Sequence, residues 1–255
     1  MNSEMDTARL YIFPPSSGCE VAAWLLQQYQ IVTRVNRQTA PFFMFSILLH
    51  GGKDYPFVIY RGKKLSSSLA VSLGLEAMAP KTLKLYPSDP ALKQEAAELW
   101  EKIINPKLAF AVSRWAYFYL LPRKDLLKDS ITQGVPGWQK FLVNIAYRPI
   151  AGLIGKSLGI SKQPPAKEEG MIREVFDLVD QRLSDGRNFL VGDRLSMVDI
   201  GFAGLAAPVV LEENYGHGGL LPTLAQAPEA MQPMVREMRA RPAGQFIQRM
   251  YRDYR

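Results

Sequence analysis

One short segment constrains the fold of this chain more than any other, residues 189–203 with the sequence FLVGDRLSMVDIGFA. Ser196 and Asp199 stand three positions apart, directly before an apolar run. A serine at a helix cap accepts a hydrogen bond from the backbone N–H three residues on, and an acidic residue there accepts one from the cap's own N–H. Leu195 and Ile200 flank the pair as a hydrophobic staple does. The segment therefore predicts the N-terminus of a helix, with Ser196 and Asp199 in structural roles.

The first eighty residues show a different pattern, in which short apolar strands alternate with helices. Pro56 opens an apolar strand that ends in an Arg-Gly turn, and such a place suits a cis peptide bond at a strand edge. A serine triplet at residues 66–68 precedes a further helix. The predicted order is β-α-β-α-β-β-α, with strands at 10–13 and 31–35 and helices at 20–28 and 42–49.

Together the two patterns resemble the glutathione S-transferase superfamily over the entire chain. In that family a segment of the form yLvGd-x-x-S-x-x-D opens the central helix of the helical domain, and a thioredoxin-like domain comes first. The resemblance implies an α/β thioredoxin-like glutathione-binding domain at residues 1–86 and an all-α domain at residues 87–255. It also implies glutathione as co-substrate with no metal, a hydrophobic small molecule as the second substrate, a homodimer and a role in detoxification.

Composition and charge fit such a protein and disfavour other classes. The N-terminus carries acidic residues and no apolar run, which predicts no secretory or transit peptide, and one cysteine rules out a disulfide framework. Both features favour a cytoplasmic location. The net charge is +7, but the basic residues are scattered among acids and form no stripe interleaved with aromatics. The sequence therefore predicts no nucleic-acid partner.

The chemistry is expected at the start of the first helix, where Ser16 and Cys19 have the spacing Ser-x-x-Cys. A helix N-terminus carries partial positive charge, so a hydroxyl placed there can stabilise a neighbouring thiolate. Ser16 resembles the catalytic serine of Ser-type transferases. A helix cap is the alternative role for Ser16, Ser17 is a competitor one residue later, and Cys19 is either a buried thiol or a nucleophile.

The resemblance also assigns a glutathione-binding set. It implies that the backbone of Tyr55 pairs with the cysteinyl unit beside a cis Pro56, and that Lys53 lies near the glycyl carboxylate. The family's acidic-Ser pair, which holds the γ-glutamyl amine and carboxylate, falls on Ser67 and Ser68. Ser68 fits a carboxylate, since a hydroxyl and a helix N-terminus both suit one. Ser67 departs from the pattern, because a hydroxyl replaces the carboxylate that an ammonium group would pair with.

Two features of the predicted helical domain concern the electrophile pocket. An aromatic cluster at residues 115–119 sits on the helix that walls the electrophile pocket in transferases. We expect one or two of its rings, from the candidates Trp115, Phe118 and Tyr119, to line that pocket and the rest to lie in the core. Residues 134–166 form an insert longer than the family's usual connection. Its polar residues disfavour a membrane span. We expect two short helices, broken near Pro149, that cover the pocket as a lid, or alternatively a patch that lies on a membrane surface.

The sequence thus predicts a transferase that conjugates glutathione to a hydrophobic electrophile through a serine-stabilised thiolate. Two alternatives stay open. One is a non-catalytic binding or scaffold protein of the same fold, which the departure at Ser67 allows. The other is a glutathione-dependent reductase or lyase that works through Cys19.

Overall fold

The computed structural model describes residues 6–40, 42–104 and 106–255. The first five residues, on which part of the expectation about targeting signals rests, lie outside that range. The N-terminal part is a four-stranded mixed sheet with helices packed against it, in strand order β2-β1-β3-β4. The strands are β1 (Ala8–Ile12), β2 (Thr33–Arg37), β3 (Phe57–Tyr60) and β4 (Lys63–Ser66), and the helices are α1 (Ser17–Gln28), α2 (Phe42–Leu49) and α3 (Ser68–Met78).

The sheet has its most buried strands at the centre. Leu10 of β1 lies opposite Val35 of the parallel strand β2 and opposite Val58 of the antiparallel strand β3. Every residue of β3 is buried, because β3 lies between two other strands and below helices. The helices α1 and α3 pack against each other, and α2 packs on β1. The predicted β-α-β-α-β-β-α order is confirmed, with strand boundaries shifted by about two residues, as helix and strand ends commonly are.

The rest of the chain is helical in the residues that the structure describes, as predicted. A π-helical turn at Trp100–Ile104 continues α4, and short 3₁₀ turns lie at Lys81–Leu83 and Tyr215–His217. The α-helices are α4 (Pro90–Leu99), α5 (Pro106–Leu120), α6 (Lys124–Ile131), α7 (Gly137–Leu158), α8 (Ala166–Leu183), α9 (Met197–Val210), α10 (Gln232–Ala240) and α11 (Pro242–Tyr254).

Helix α9 is the centre of the helical part, and all of its residues are buried. Its capping box forms as the sequence predicts. The Asp199 Oδ2 atom accepts hydrogen bonds from the Ser196 N–H at 2.7 Å and from the Ser196 hydroxyl at 2.6 Å, while Oδ1 accepts from the Leu190 N–H at 2.7 Å. Gly204 lets α9 approach α1 closely, since a Cβ there would lie 2.6 Å from a methyl group of Val21.

The insert contains two helical segments, as expected, but their break lies slightly earlier than predicted. The two segments join at a kink within residues 137–158 and are labelled together as α7. The break is a kink at Ala146, whose φ of −116° and ψ of 29° are not helical. Pro149 lies three residues further on, lacks the N–H that would bond to the preceding turn and crowds that turn with its ring. The proline therefore bends the helix one turn before itself without ending it.

Candidate functional site

Three segments of the N-terminal part meet around Gly18. They are the first turn of α1, the cis peptide bond between Tyr55 and Pro56, and the first residue of α3. A Cβ at Gly18 would lie 3.3 Å from the Pro56 Cδ atom and 3.3 Å from the Ser68 Oγ atom. The absence of a side chain at Gly18 therefore allows the N-termini of two helices to converge on one place, and helix N-termini attract anionic groups.

Ser16 is the cap residue of α1. Its backbone is extended, and its Oγ atom accepts a hydrogen bond from the Cys19 N–H at 3.4 Å. The side chain is half-buried. Tyr215 follows α9, and its hydroxyl donates to the carbonyl of Pro15 at 3.1 Å. This bond holds the residue before Ser16 to the helical part. A hydroxyl whose oxygen caps a helix can still donate its hydrogen to an anion.

Cys19 lies one turn into α1 in different surroundings. Its side chain is buried, with 1% of its surface exposed. Burial raises the pKa of the thiol to about 11, and this effect outweighs the hydrogen bond from Ser16, which lowers it. Because the thiolate is the nucleophile, a thiol with this pKa is almost entirely in its unreactive form at neutral pH.

In the serine triplet before α3, Ser67 and Ser68 have different roles. Ser67 has a φ of 85°, rare for a residue other than glycine, and its N–H donates to the Pro56 carbonyl at 3.1 Å. Its Oγ atom accepts from the Ala70 N–H at 3.4 Å, so the hydroxyl caps α3. Ser68 begins α3 and points its Oγ atom at Gly18. Lys53 is exposed, and its N–H donates to the Ser66 Oγ atom at 3.3 Å.

A small apolar cavity of about 30 Å³ separates the start of α1 from α5. Pro15 and Ser17 line it on the α1 side, and α5 contributes residues one turn apart, namely Val112, Ser113, Ala116, Tyr117 and Leu120. The Tyr117 hydroxyl is buried and has no hydrogen-bond partner among the described residues. Burial, with neighbouring Tyr55 and Cys19, raises the pKa of this hydroxyl, which therefore stays protonated and able to donate.

Trp115, Phe118 and Tyr119, the candidate pocket residues from the sequence, do not line this cavity and lie on other sides of α5. Trp115 is fully buried, and its ring packs edge-on against that of Tyr119 at 5.9 Å. The Tyr119 hydroxyl donates to Glu169 of α8 at 3.4 Å, and Phe118 packs against Tyr119 at 5.0 Å. The sequence does not distinguish Tyr117 from the other rings of the cluster, because α5 is apolar on most sides. The spacing 113, 116, 117 and 120 does mark a single helix face, but nothing in the sequence says which face meets α1.

The insert reaches the N-terminal part beside α2. The Gln139 Oε1 atom of α7 accepts a buried hydrogen bond from the Thr39 N–H at 2.9 Å. The rings of Phe42 and Trp138 contact each other with their centroids 4.7 Å apart. Tyr147 of α7 donates to the Leu121 carbonyl at 3.0 Å, which holds the insert to the end of α5. The insert is thus fixed against both parts of the molecule near the cavity.

The described ranges contain neither a metal-binding cluster nor a helix that could span a membrane. No cluster of three or more His, Cys, Asp or Glu side chains in residues 6–40, 42–104 and 106–255 is arranged to hold a metal ion. In the same ranges no helix combines the length and the apolar character that a membrane span requires.

Part of the chain matches a known family model, and solved structures share its fold. Residues 123–216 match the family model of the glutathione S-transferase C-terminal domain. No curated protein matches the chain by sequence. The β-etherase LigF from Sphingobium sp. strain SYK-6 aligns with a TM-score of 0.54 and 19% identity, over 94% of this chain and 98% of that one.

Two further solved structures contain glutathione or its disulfide. Ure2p in complex with glutathione aligns with a TM-score of 0.51 and 17% identity, over 94% of this chain and 97% of Ure2p. A glutathione transferase from Pseudomonas putida, with one glutathione disulfide bound per subunit, aligns with a TM-score of 0.51 and 16% identity, over 96% and 92% of the two chains. At such identities the likeness shows the fold. That fold is the glutathione transferase fold, and within it residues 123–216 match the C-terminal domain of that family.

Proposed function

We propose that this protein is a glutathione transferase that joins the sulfur of glutathione to a hydrophobic electrophile. The observation that carries the proposal is the convergence of the α1 N-terminus, the cis Pro56 and Ser68 around Gly18. This arrangement offers a partly accessible place where two helix N-termini favour a peptide-like anion. The glutathione and glutathione disulfide held by Ure2p and by the Pseudomonas putida enzyme support the same ligand for this fold.

In this proposal Ser16 donates a hydrogen bond to the thiolate of bound glutathione. A hydrogen bond to a charged group contributes about 1.5–3 kcal/mol, which lowers the thiol pKa by about one to two units. The thiol proton passes to solvent, the thiolate sulfur attacks the electrophilic carbon, and the leaving group departs with the bonding electron pair. Ser68 and the N-terminus of α3 hold the γ-glutamyl carboxylate, the backbone of Tyr55 pairs with the cysteinyl unit, and Lys53 lies near the glycyl carboxylate.

The electrophile would lie beside the cavity between the start of α1 and α5. Val112, Ala116 and Leu120 give that cavity an apolar wall. The Tyr117 hydroxyl on that wall is buried and has no partner among the described residues. We propose that it donates to a polar atom of the bound electrophile, which would satisfy a group that is otherwise buried at a cost.

One alternative function has a specific observation in its favour. Ser67 offers no negative charge to the ammonium group of glutathione, and its hydroxyl already caps α3. A binding or scaffold protein of the same fold would tolerate that loss. The route through Cys19 has less support, because that thiol is buried and its pKa is raised to about 11.

Conjugation of glutathione to a model aryl halide tests the proposal. We expect Ser16→Ala to lower kcat/KM at least about tenfold, since about 1.4 kcal/mol of thiolate stabilisation corresponds to one decade of rate. Cys19→Ala is expected to keep most of the activity. Ser17→Ala tests the competing serine and is also expected to keep most of it. Loss of activity in Cys19→Ala with full activity in Ser16→Ala would reverse the assignment. A wild-type protein that binds glutathione but conjugates nothing would favour the binding protein.

The proposal includes a homodimer that acts in cytoplasmic detoxification, as is usual for the superfamily. Light scattering at micromolar concentration should return twice the mass of the chain. A monomer mass that persists at the highest attainable concentration would contradict the dimer and would leave the assignment of Ser16 unaffected.

A further inference from the structure

Two neighbouring helices carry apolar side chains that face solvent. Helix α2 presents Phe42, Phe45 and Leu49, and helix α7 presents Trp138, Phe141 and Ile145. Both sets follow the spacing i, i+3, i+7, which places each set on one face of its helix. The two sets begin at the same place, because the rings of Phe42 and Trp138 contact each other at 4.7 Å. We call the surface formed by these six side chains the α2–α7 face.

The side chains of the α2–α7 face do not belong to the hydrophobic core. Five of its six side chains, all except Phe42, are between 54% and 68% exposed. The opposite sides of the same helices supply the core contacts, through Phe43 and Ile47 of α2 and through Val143 and Tyr147 of α7. Exposed apolar side chains that cluster in this way mark a surface that is covered in use.

The charges near the α2–α7 face indicate which kind of partner covers it. The stretches of sequence that contain the two helices, residues 21–53 and residues 130–167, hold no Asp or Glu. Lys140 and Arg148 are exposed on α7 itself. The other basic residues of the two stretches are Arg34, Arg37, Lys53, Lys156, Lys162 and Lys167. An apolar face with basic flanks and no acidic residue in its own segments matches an anionic bilayer, whose acyl boundary takes the apolar side chains and whose headgroups pair with the basic ones.

The same charges disfavour a second copy of this chain as the occupant. A symmetric contact brings the same patch of both protomers together. Lys140 and Arg148 of one protomer would then face the identical basic segments of its partner, and like charges across an interface oppose association. An anionic lipid surface carries the opposite charge and needs no complementary shape.

We propose that the α2–α7 face docks the protein onto anionic membrane surfaces as a peripheral protein. Phe45, Leu49, Phe141 and Ile145 enter the boundary between headgroups and acyl chains, while Lys140 and Arg148 contact phosphate and carboxylate groups. Attachment of this kind weakens as salt concentration rises, because salt screens the charge contribution. The inference does not depend on the enzymatic reaction proposed above.

Co-sedimentation with vesicles tests the proposal on the full chain. Wild-type protein is expected to pellet with vesicles of phosphatidylcholine and phosphatidylserine, less so at high salt, and weakly with phosphatidylcholine alone. The double variant F45E/F141E should stay in the supernatant. Leu178→Glu is the matched control, since Leu178 is an exposed apolar residue of α8 outside the face, and it should pellet like wild type. The variant K140Q/R148Q should lose about fivefold in affinity for each charge removed.

Several outcomes overturn the proposal. Wild-type protein that does not pellet with the anionic vesicles overturns it, and so does pelleting that F45E/F141E leaves unchanged. If F45E/F141E fails to fold by circular dichroism, the milder F45S/F141S takes its place under the same criterion. Light scattering without lipid gives the remaining test. A wild-type dimer that becomes monomeric in the face variant, with no vesicle binding by either protein, would make the face an interface between copies.

Discussion

Tyr117 and Tyr147 are both buried tyrosines near the proposed electrophile pocket, yet their hydroxyls differ. The Tyr147 hydroxyl donates to the Leu121 carbonyl at 3.0 Å, whereas the Tyr117 hydroxyl has no partner among the described residues. A buried polar group without a partner costs about 1–3 kcal/mol, and a satisfied hydrogen bond contributes about 1 kcal/mol. The unpartnered hydroxyl is therefore kept at a cost, which fits a role toward a ligand.

This contrast predicts how removing each hydroxyl changes the free energy of unfolding. Tyr117→Phe should leave the free energy of unfolding unchanged or raise it by about 1 kcal/mol, because it removes an unsatisfied group. Tyr147→Phe is the matched control and should lower it by about 1 kcal/mol, because it removes a bond that is made. Urea denaturation followed by circular dichroism measures both. Equal destabilisation by the two variants would show that Tyr117 has a partner in the folded protein.

At the scale of elements, the capping box decides whether α9 can begin where it does. Asp199 accepts from the N–H groups of Leu190 and Ser196 and from the Ser196 hydroxyl, and all of these groups are buried. Asp89 caps the exposed start of α4 in a similar way, by accepting from the N–H groups of Ala91 and Leu92. The two acidic residues have comparable bonds and opposite burial, so they make a matched pair.

Asp199→Ala should therefore cost several kcal/mol in the free energy of unfolding, since it leaves buried N–H groups unpaired at about 1–3 kcal/mol each. Asp89→Ala should cost about 1 kcal/mol, the usual value for an exposed cap. Chemical denaturation of both variants at neutral pH checks the difference. A cost for Asp199→Ala no larger than that for Asp89→Ala would show that α9 does not depend on its capping box.

The cost of Asp199→Ala should also depend on pH. Burial raises the pKa of Asp199 from its ordinary 3.8 to about 6, against the opposing hydrogen bonds from Ser196 and Leu190. A carboxyl whose pKa is higher in the folded state binds its proton more tightly there, so its stabilising contribution is complete below pH 4 and is lost as pH rises through 6. The cost of the variant should thus be larger at pH 4.5 than at pH 7.5, by up to about 2 kcal/mol. A cost that stays constant or rises with pH would contradict the shift.

The elements that sequence predicted well are those with a local cause. The box at Ser196 and Asp199 and the cis bond before Pro56 follow from a few neighbouring residues, and both are found in the structure. Long-range packing explains what the sequence missed. The face of α5 that meets α1 depends on the docking of the two parts. The break in α7 has a local cause in Pro149 and was predicted, but it lies at Ala146 because the proline acts on the turn before it. The roles of Ser16, Lys53 and Ser68 toward glutathione remain predictions.

At the scale of the whole molecule, α1 joins the two parts and carries the proposed site at its N-terminus. The Glu20 carboxylate pairs with the Arg255 guanidinium at 2.8 Å, and both side chains are buried. The Trp24 indole donates to the Tyr254 carbonyl at 3.0 Å, and the Tyr251 hydroxyl donates to Glu20 at 3.3 Å. The end of the helical part thus holds the buried side of α1, while Ser16 and Gly18 at its start remain partly accessible.

Binding of glutathione to Gly18 and its surroundings is the central claim, and isothermal titration calorimetry measures it directly. Wild-type protein should show saturable binding of one glutathione per chain. Ser68→Ala should weaken binding about tenfold or more, because a hydrogen bond to a carboxylate contributes about 1.5–3 kcal/mol.

A variant that should bind glutathione more tightly provides a second test by titration. Ser67→Asp should tighten binding, since aspartate also caps helices and would supply the negative charge that the ammonium group lacks. Ser67→Ala, which adds no charge, is the control. The account predicts saturable binding in wild-type protein that weakens in Ser68→Ala and strengthens in Ser67→Asp. Absence of saturable binding at millimolar glutathione in both the wild-type protein and Ser67→Asp would contradict it.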